Sequence, residues 1–141
     1  MTPLALRILG RDDVLRAGGA DFPAAVADVM EALVELREGR SEMPAETSVS
    51  LGTPLYPQAR AYAVPARLGA FAGVKWTAHR PVEADASGDA LPAIVSMTLL
   101  SDSVGGAPLA VVESAFLTAM RTAAVSALAL RHAAPRPVRT V

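Results

Sequence analysis

One lysine stands in an otherwise apolar run, GAFAGVKWTAHRP at residues 69–81. Val74 precedes Lys75, and the chain's only tryptophan, Trp76, follows it. A lysine flanked in this way commonly lies on the solvent-facing side of a strand, with its methylene stem against apolar neighbours. The alternative is an ammonium group held in a concave, partly dry pocket, where it meets an anionic ligand. Both interpretations are open at this point.

A second cation occupies an unexpected place in the last predicted helix. Helical spacing puts Leu117, Arg121, Ala124 and Leu128 on one stripe, which predicts that Arg121 lies on the buried face. Because a buried guanidinium without a partner is too costly to persist, it must meet a carboxylate, a phosphate or a group of carbonyls. An internal salt bridge would provide that partner. If Arg121 and Lys75 instead point into one cavity, they would bind a substrate carboxylate or a nucleotide phosphate.

The composition restricts the class of protein. A chain of 141 residues is long enough for one domain that buries roughly two-thirds of its unfolded surface. A net charge of −1 and an aromatic content of 4% argue against nucleic acid or an anionic membrane as the main partner. The absence of cysteine excludes disulfides and thiolate metal sites. The sequence carries no secretory signal and no long apolar span, so we expect a cytoplasmic protein.

The same composition predicts association. Because 52% of the residues are hydrophobic, a domain of this size does not cover all of its apolar surface. Contact with another domain or a second subunit would cover the remainder.

The first third of the chain is predicted to contain a short strand and two helices. Residues 4–10 form the strand, and residues 12–18 form one or two helical turns. A longer amphipathic helix follows, with Asp21 as its cap, Pro23 in its first turn and Gly39 after its last turn. Its apolar residues recur at three- and four-residue spacing and predict one buried stripe, which consists of Val26, Met30, Leu33 and Val34.

A hydrophobic period of two predicts a sheet in the middle of the chain. Strands are expected over residues 47–51, 59–69, 71–78, 91–102 and 108–113, with a loop over residues 81–90. Pro65 would place its strand at an edge or a bulge, since proline cannot donate to a ladder. The last two strands are predicted to pair as an antiparallel hairpin through the turn SDSVGGAP.

A helix of about five turns is the last predicted element. Ser114 is its expected N-cap, and Pro135 and Pro137 end it. Strands followed by helices, with several antiparallel hairpins, indicate an α+β domain. We therefore expect a mixed, largely antiparallel sheet packed with helices, the longest of them C-terminal.

Three motifs in a fixed order resemble one known family. They are GVKW at residues 73–76, LTAMRTAA about forty-five residues later, and the D-x-x-x-G-x-P-L hairpin between them. Together they resemble the amino-terminal half of the ornithine cyclodeaminase/mu-crystallin family, from about Met43 to Val141. The ordered set is specific, whereas GVKW alone is a weak signal.

The resemblance implies a two-domain enzyme that acts on amino or imino acids with NAD or NADP. Residues 1–134 would be the substrate-binding domain, which also forms a homodimer through its sheet. Residues 135–141 would be a linker and the start of a Rossmann domain that is absent from this chain. By the same resemblance, Lys75 would be a catalytic residue that contacts the substrate carboxylate or assists proton transfer. Arg121 would lie where the substrate carboxylate and the nicotinamide meet.

Two positions depart from the family pattern. Ala45 and Glu46 stand where many relatives place an arginine or lysine that completes the carboxylate clamp. At a substrate-binding position, Glu46 would repel a carboxylate or select a cationic group. Ala93 stands where relatives often carry a threonine near the cofactor, and we assign Ala93, Thr122 and Arg121 to the expected cofactor contact.

Two other kinds of function compete with the enzyme. The first is a non-catalytic small-ligand-binding or dimerisation module of the mu-crystallin type. The second is a purely structural α+β domain in which Arg121 is paired internally. No metal site is predicted, because His79 and His132 are far apart in sequence and lack acidic neighbours.

Overall fold

The described residues of the protein form one six-stranded sheet and three helices. A computed structural model describes residues 5–52, 57–79 and 92–134. The strands are β1 (Arg7–Leu9), β2 (Thr47–Ser50), β3 (Arg60–Leu68), β4 (Phe71–His79), β5 (Ile94–Asp102) and β6 (Pro108–Glu113). The helices are α1 (Arg11–Arg16), α2 (Phe22–Arg37) and α3 (Ala115–Ala133).

The strand order in the sheet is β1-β6-β5-β4-β3-β2. Neighbours from β2 to β6 are antiparallel, and β1 pairs in parallel with β6. The predicted α+β class with a mixed, largely antiparallel sheet is therefore confirmed. The predicted hairpin between the last two strands is also confirmed, with Leu99 opposite Val111. The loop expected over residues 81–90 and the prolines expected to end the last helix lie outside the described residues.

Pro65 occupies a gap at the side of β3. Strand β2 pairs only with residues 60–63, and beyond it Arg67 exchanges two backbone hydrogen bonds with Glu42. Pro65 lies between these two pairings, where no neighbouring strand needs its missing N–H group. Strand β3 itself has β2 on one side and β4 on the other, so the predicted edge or bulge position of this strand is wrong. The proline is tolerated because the paired part of β2 ends before it.

The ends of the two long helices differ in how they are capped. The Asp21 carboxylate accepts a hydrogen bond from the Ala24 N–H at 3.0 Å, as the sequence predicts for α2. Gly39, with a φ of 72°, follows this helix. Ser114 precedes α3, but its hydroxyl makes no cap hydrogen bond to the helix. That hydroxyl instead donates to the Val112 carbonyl and contacts the Thr98 hydroxyl, so Ser114 joins the helix to the sheet.

The two faces of the sheet have different environments. The face that carries Lys75 and Thr98 lies under α3, to which it is joined by the hydrogen bond between Thr98 and Ser114. We call the opposite side the open face. Its side chains are largely exposed and apolar, and they include Ile8, Val49, Trp76, Val95, Met97 and Leu99. The described part of the chain therefore leaves one side of the sheet uncovered.

The predicted burial of the α2 stripe is wrong for most of its length. Met30, Leu33 and Val34 are 40%, 49% and 39% exposed, and only Val26 is partly buried. The reason is that α2 packs against α3 and not against the sheet, so α3 covers only one edge of the stripe. Within the described residues, no helix is long and apolar enough to cross a membrane.

Gly73 is required by close packing between two central strands. A Cβ atom at this position of β4 would overlap the Leu99 carbonyl oxygen of β5. We predict that Gly73→Ala lowers the free energy of unfolding by about 1–3 kcal/mol, as overpacking does. Urea denaturation measures the change. The control is Gly10→Ala, whose added Cβ would meet Asp13 at an ordinary 3.8 Å. Equal stability of the two variants would contradict the prediction.

Candidate functional site

Lys75 lies in the middle of β4, on the face covered by helix. In the register of the sheet it has Val64 of β3 on one side and Thr98 of β5 on the other. Its neighbour Trp76 points to the open face, because successive side chains alternate along a strand. Lys75 is partly buried. The alternative of a lysine on the solvent-facing side of its strand therefore does not describe this structure.

Arg121 approaches the same region from α3. Ala124 and Leu128 on the predicted stripe are buried, but Arg121 is exposed, so the expected burial of its guanidinium is wrong. The reason is local: Arg121 borders a cavity between the helix and the sheet, which α3 does not fill. None of the ion pairs between described residues includes Arg121 or Lys75. An internal salt bridge to Arg121 is thus not found in the part of the chain that the structure describes.

Two adjoining cavities meet at these cations. The first, of about 620 Å³, extends from the sheet to the N-terminal turns of α2. The second, of about 260 Å³, extends towards Tyr62 and His79. The residues that line both cavities are Glu46, Val64, Lys75, Thr118 and Arg121. The two cations and the carboxylate therefore border one continuous opening, which we call the cleft.

Lys75 also borders a third, apolar cavity of about 350 Å³. This cavity runs along the sheet past Gly73 and Leu100 to Phe71. Lys75 thus lies where a polar opening and an apolar one meet. An anionic group bound at Lys75 could extend a polar or an apolar remainder into different parts of the cleft.

The charges around the cleft shift the pKa of Lys75. Burial lowers this pKa below its ordinary value of 10.5, and the positive charge of Arg121 lowers it further. The carboxylate of Glu46 acts in the opposite direction. The two lowering effects outweigh the raising one, so the charged form of Lys75 is disfavoured, and an anion bound beside it would favour that form. Asp21 and Asp28 also line the larger cavity.

Buried hydroxyl groups form the floor of the cleft. Thr77 and Ser96 are hydrogen-bonded to each other at 2.9 Å, and Thr98 and Ser114 at 2.7 Å. Both pairs bridge neighbouring elements, the first between β4 and β5 and the second between β5 and the start of α3. Because their hydroxyls already have partners, these pairs hold the sheet and α3 together beneath Lys75.

The remaining predicted site residues do not all lie at the cleft. Glu46 borders it and interacts electrostatically with Lys75. Ala93 immediately precedes β5, and Thr122 donates its hydroxyl hydrogen to the Thr118 carbonyl at 2.7 Å. Neither of these two lines the cavities around Lys75.

Sequence reasoning missed two residues at the cleft, Asp28 and Thr118. Thr118 could have been found, because a residue three positions before Arg121 lies on the same side of a helix. Asp28 had no such signal. Its place at the cleft depends on how α2 packs against α3, and this is a tertiary relation.

The described residues do not fit the phosphate groups of a dinucleotide. Gly105 and Gly106 lie in the turn between β5 and β6 and not between a strand and a helix. In the same part of the chain there is no group of three or more side chains that could hold a metal ion.

This geometry defines an α+β domain whose cleft, between the sheet and the C-terminal helix, is bordered by Lys75 and Arg121. The model of the ornithine cyclodeaminase/mu-crystallin family matches residues 17–141, and the chain belongs to this family. The resemblance found in the sequence is thereby confirmed.

Three relatives illustrate the range of the family. An ornithine cyclodeaminase of Brucella abortus is 42% identical over 53 residues, which are 38% of this chain and 15% of that protein. An archaeal alanine dehydrogenase dimer with bound NAD has a TM-score of 0.76 and 25% identity. The Thermococcus litoralis Δ1-pyrroline-2-carboxylate reductase in complex with NADH and L-proline has a TM-score of 0.76 and 29% identity.

These structural matches cover most of this chain but a minority of each relative. The alignments include 90% and 89% of this chain, and in both cases 37% of the other. The chain therefore spans well under half the length of the proteins that it resembles.

The electrostatics of the cleft can be tested directly, because Lys75 is the chain's only lysine. We predict that Arg121→Met raises the pKa of Lys75 and that Glu46→Gln lowers it further, since each change removes a charge that acts on the ammonium group. NMR titration of the single lysine side chain measures both shifts. Arg16→Met, outside the cavities around Lys75, is the control and should leave this pKa unchanged. Shifts of the same sign in the two cleft variants would contradict the prediction.

The lowered pKa of Lys75 also determines the sign of this residue's contribution to the pH dependence of the free energy of unfolding. The folded chain releases the Lys75 proton at a lower pH than the unfolded chain, so the unfolded state binds more protons between those two values. The contribution of Lys75 to the free energy of unfolding therefore rises with pH over that interval, up to about 10.5.

Proposed function

We propose that this chain is the substrate-binding and dimerisation part of an NAD(P)-dependent enzyme. The enzyme would oxidise or deaminate a small amino acid, or reduce the matching imine. The observation that carries the proposal is the convergence of Lys75 and Arg121, from β4 and α3, on one cleft. Among the described residues, no carboxylate forms an ion pair with either cation. Family membership supports the general kind of reaction.

The two cations are suited to a carboxylate. Arg121 offers a planar fork that can donate two parallel hydrogen bonds, and Lys75 offers a compact charge from the opposite side. Held between a strand and a helix, the carboxylate would be fixed, and with it the direction of the bond from the α-carbon to hydrogen. Orientation of this kind is a major source of rate enhancement when hydride is transferred.

Lys75 has a second role in the proposal, which is proton transfer. Oxidation of an amine to an imine releases a proton from nitrogen, and reduction takes one up. The lowered pKa of Lys75 brings its ammonium group closer to the range in which it can exchange a proton near neutral pH. Burial and the neighbouring Arg121 cause that shift, so binding and proton transfer depend on the same pair of residues.

In this proposal, Glu46 selects the charge of the substrate groups other than the carboxylate. A carboxylate beside Lys75 repels a second anionic group and attracts a cationic one. Asp28 lines the same 620 Å³ cavity nearer to α2. We therefore assign Glu46 to substrate selection, with one carboxylate at the cations and a neutral or cationic remainder as the preferred ligand.

The cofactor would be NAD or NADP, bound mainly outside this chain. The described residues have no cradle for its phosphates, but Arg121 borders the cleft from which a hydride would leave. We retain Arg121, Ala93 and Thr122 as the proposed contacts of its nicotinamide end. In this proposal residues 1–134 form the substrate domain, and residues 135–141 lead to a Rossmann domain in the same or another chain. The relatives with bound NAD or NADH support that assignment.

A homodimer would cover the open face. Exposed apolar side chains extend across it from Ile8 on the β1 edge through Trp76 to Val49 on the β2 edge. Two copies related by a two-fold axis could bury these faces against each other, since one patch then serves both subunits. The archaeal relative described as a dimer supports this arrangement.

A non-catalytic ligand-binding module of the mu-crystallin type is the second candidate. It is favoured by the absence of a dinucleotide cradle among the described residues. The coding sequence that follows Val141 separates the two candidates. A glycine-rich strand–loop–helix segment there supports the enzyme, and a stop codon supports the module or an enzyme divided between two chains.

The carboxylate clamp can be tested by calorimetry with pairs of ligands. We predict that the chain binds L-ornithine, L-alanine or L-proline more tightly than the matching amine without a carboxylate, namely putrescine, ethylamine or pyrrolidine. Lys75→Met should weaken binding of the amino acid by about tenfold to a hundredfold, because a hydrogen bond between charged groups is lost. Arg37→Met, which lines none of the cavities, is the control. Unchanged affinity in the Lys75 variant would remove this lysine from the site.

The open face can be tested by measuring mass in solution. We predict that the chain is a dimer in sedimentation equilibrium and that Trp76→Glu weakens the dimer about a hundredfold or more, because a carboxylate would be buried in each half of the interface. Val104→Glu is the control, since Val104 is 93% exposed in the turn between β5 and β6. A wild-type monomer, or equal loss in both variants, would refute the interface.

A further inference from the structure

The hydroxyl of Thr118 is buried without a hydrogen-bond partner. Its oxygen is out of contact with solvent, and no donor or acceptor in the described structure satisfies it. Such a group costs free energy in a folded protein and is uncommon. Thr118 therefore calls for an explanation.

Two other hydroxyls on α3 donate to the backbone carbonyl four residues earlier, and the Thr118 hydroxyl does not. Ser126 donates to the Thr122 carbonyl at 3.2 Å, and Thr122 donates to the Thr118 carbonyl at 2.7 Å. Thr118 is the next residue in this series, but its hydroxyl makes no such bond to the Ser114 carbonyl. That carbonyl accepts only the backbone N–H of Thr118 at 2.8 Å among the bonds of the described chain. The usual internal acceptor is thus present and unused by the hydroxyl.

The other hydroxyls beneath the cleft are already paired. Thr77 bonds with Ser96, and Thr98 bonds with Ser114, so none of the four needs Thr118. Lys75 and Arg121 have only donors, and therefore neither can accept the Thr118 proton. Glu46 lines the same cavities and has acceptor oxygens, but within the described structure it makes no hydrogen bond to Thr118. The same is true of Glu113, whose Oε2 atom is also buried without a partner. An acceptor on a ligand is therefore the remaining candidate.

Thr118 is one of the five residues that line both cavities of the cleft. It precedes Arg121 by three positions, so the two side chains lie on one side of α3. Across the cleft lies Lys75, also a lining residue of both cavities. The residue that carries the unpaired hydroxyl therefore lies at the cleft with both cations, although the hydroxyl oxygen itself is covered in the unliganded structure. A rotation of the Thr118 side chain would bring this oxygen to a ligand.

We propose that the Thr118 hydroxyl donates a third hydrogen bond to the ligand carboxylate that Lys75 and Arg121 bind. This inference rests on the proposed function and adds a substrate-positioning residue to it. A carboxylate has room for about four hydrogen bonds at its two oxygens, so three donors are compatible. Being uncharged, the Thr118 donor would keep its strength when Lys75 loses its proton.

The proposal predicts opposite effects of losing this hydroxyl on ligand affinity and on the stability of the unliganded protein. Without ligand the hydroxyl is buried and unsatisfied, so its removal should not destabilise the fold. Thr118→Val keeps the branched shape and removes the donor. We expect it to bind ligand more weakly and to unfold at the same or a higher urea concentration than the wild type. A hydroxyl with a purely structural role would give the reverse pattern of stability.

The test compares variants of the 141-residue chain with L-ornithine and putrescine as probes. Calorimetry gives the two affinities, and urea denaturation without ligand gives stability. Thr118→Val should weaken L-ornithine binding about tenfold, with putrescine unchanged, and Thr118→Ser should remain within about threefold of the wild type. Ser126→Ala, which removes a hydroxyl bonded back along the same helix, should leave both affinities unchanged.

The possible outcomes separate this inference from the proposed function. If Lys75→Met weakens L-ornithine binding and Thr118→Val does not, the carboxylate clamp stands and the role of Thr118 is overturned. If the wild type binds L-ornithine no better than putrescine, the proposed function fails, and the role of Thr118 fails with it. A lower free energy of unfolding in both Thr118→Val and Thr118→Ala would show an internal partner and would also overturn the inference.

Discussion

The partial burial of the Lys75 ammonium group beside Arg121 is the constraint on which the site depends. Burial lowers the pKa of Lys75, the positive charge of Arg121 lowers it further, and Glu46 opposes both effects. A flexible pair would relax by moving apart. Here the lysine is fixed by a central strand and the arginine by a 19-residue helix that is hydrogen-bonded to that sheet through Ser114 and Thr98. The fold maintains the unfavourable approach, and an anion entering the cleft relieves it.

The same sheet that fixes Lys75 exposes Trp76 on its other side. Alternation along β4 makes this unavoidable, since consecutive residues point to opposite faces. A sheet with helices on one side only must leave the second side to water or to another molecule. The small side chains that are fully buried, chiefly alanines such as Ala61 and Ala124, give this chain a modest core of its own. Lys75 at the cleft and Trp76 on the open face are therefore carried by the same strand.

The local sequence pattern predicted the strands and helices of the fold. Period-two runs located the strands, and Asp21 and Gly39 marked the ends of α2, because these signals depend on a few neighbouring residues. Burial was harder. Arg121 was expected to be buried because its helix has an apolar stripe, and Met30 was expected to be buried for the same reason. Both residues are exposed. The prediction of their burial failed because the spacing of apolar residues identifies one face of a helix but not which element covers that face. The meeting of Lys75 with Arg121 came from the family resemblance, since no spacing in one chain brings residues of a strand and a distant helix together.

Glu46 lies near Lys75 without forming an ion pair with it among the described residues. A carboxylate able to pair fully with Lys75 would neutralise the lysine and compete with any anionic ligand. Glu46 instead acts through space: it raises the pKa of Lys75, yet it does not outweigh burial and Arg121. An exposed carboxylate of this kind is well solvated, so it gains little from approaching the lysine and loses little when a ligand intervenes. In the proposed function, the cleft would thus bind an anion while presenting a negative group to the rest of the bound molecule, and this combination would favour a ligand with one carboxylate over a ligand with two.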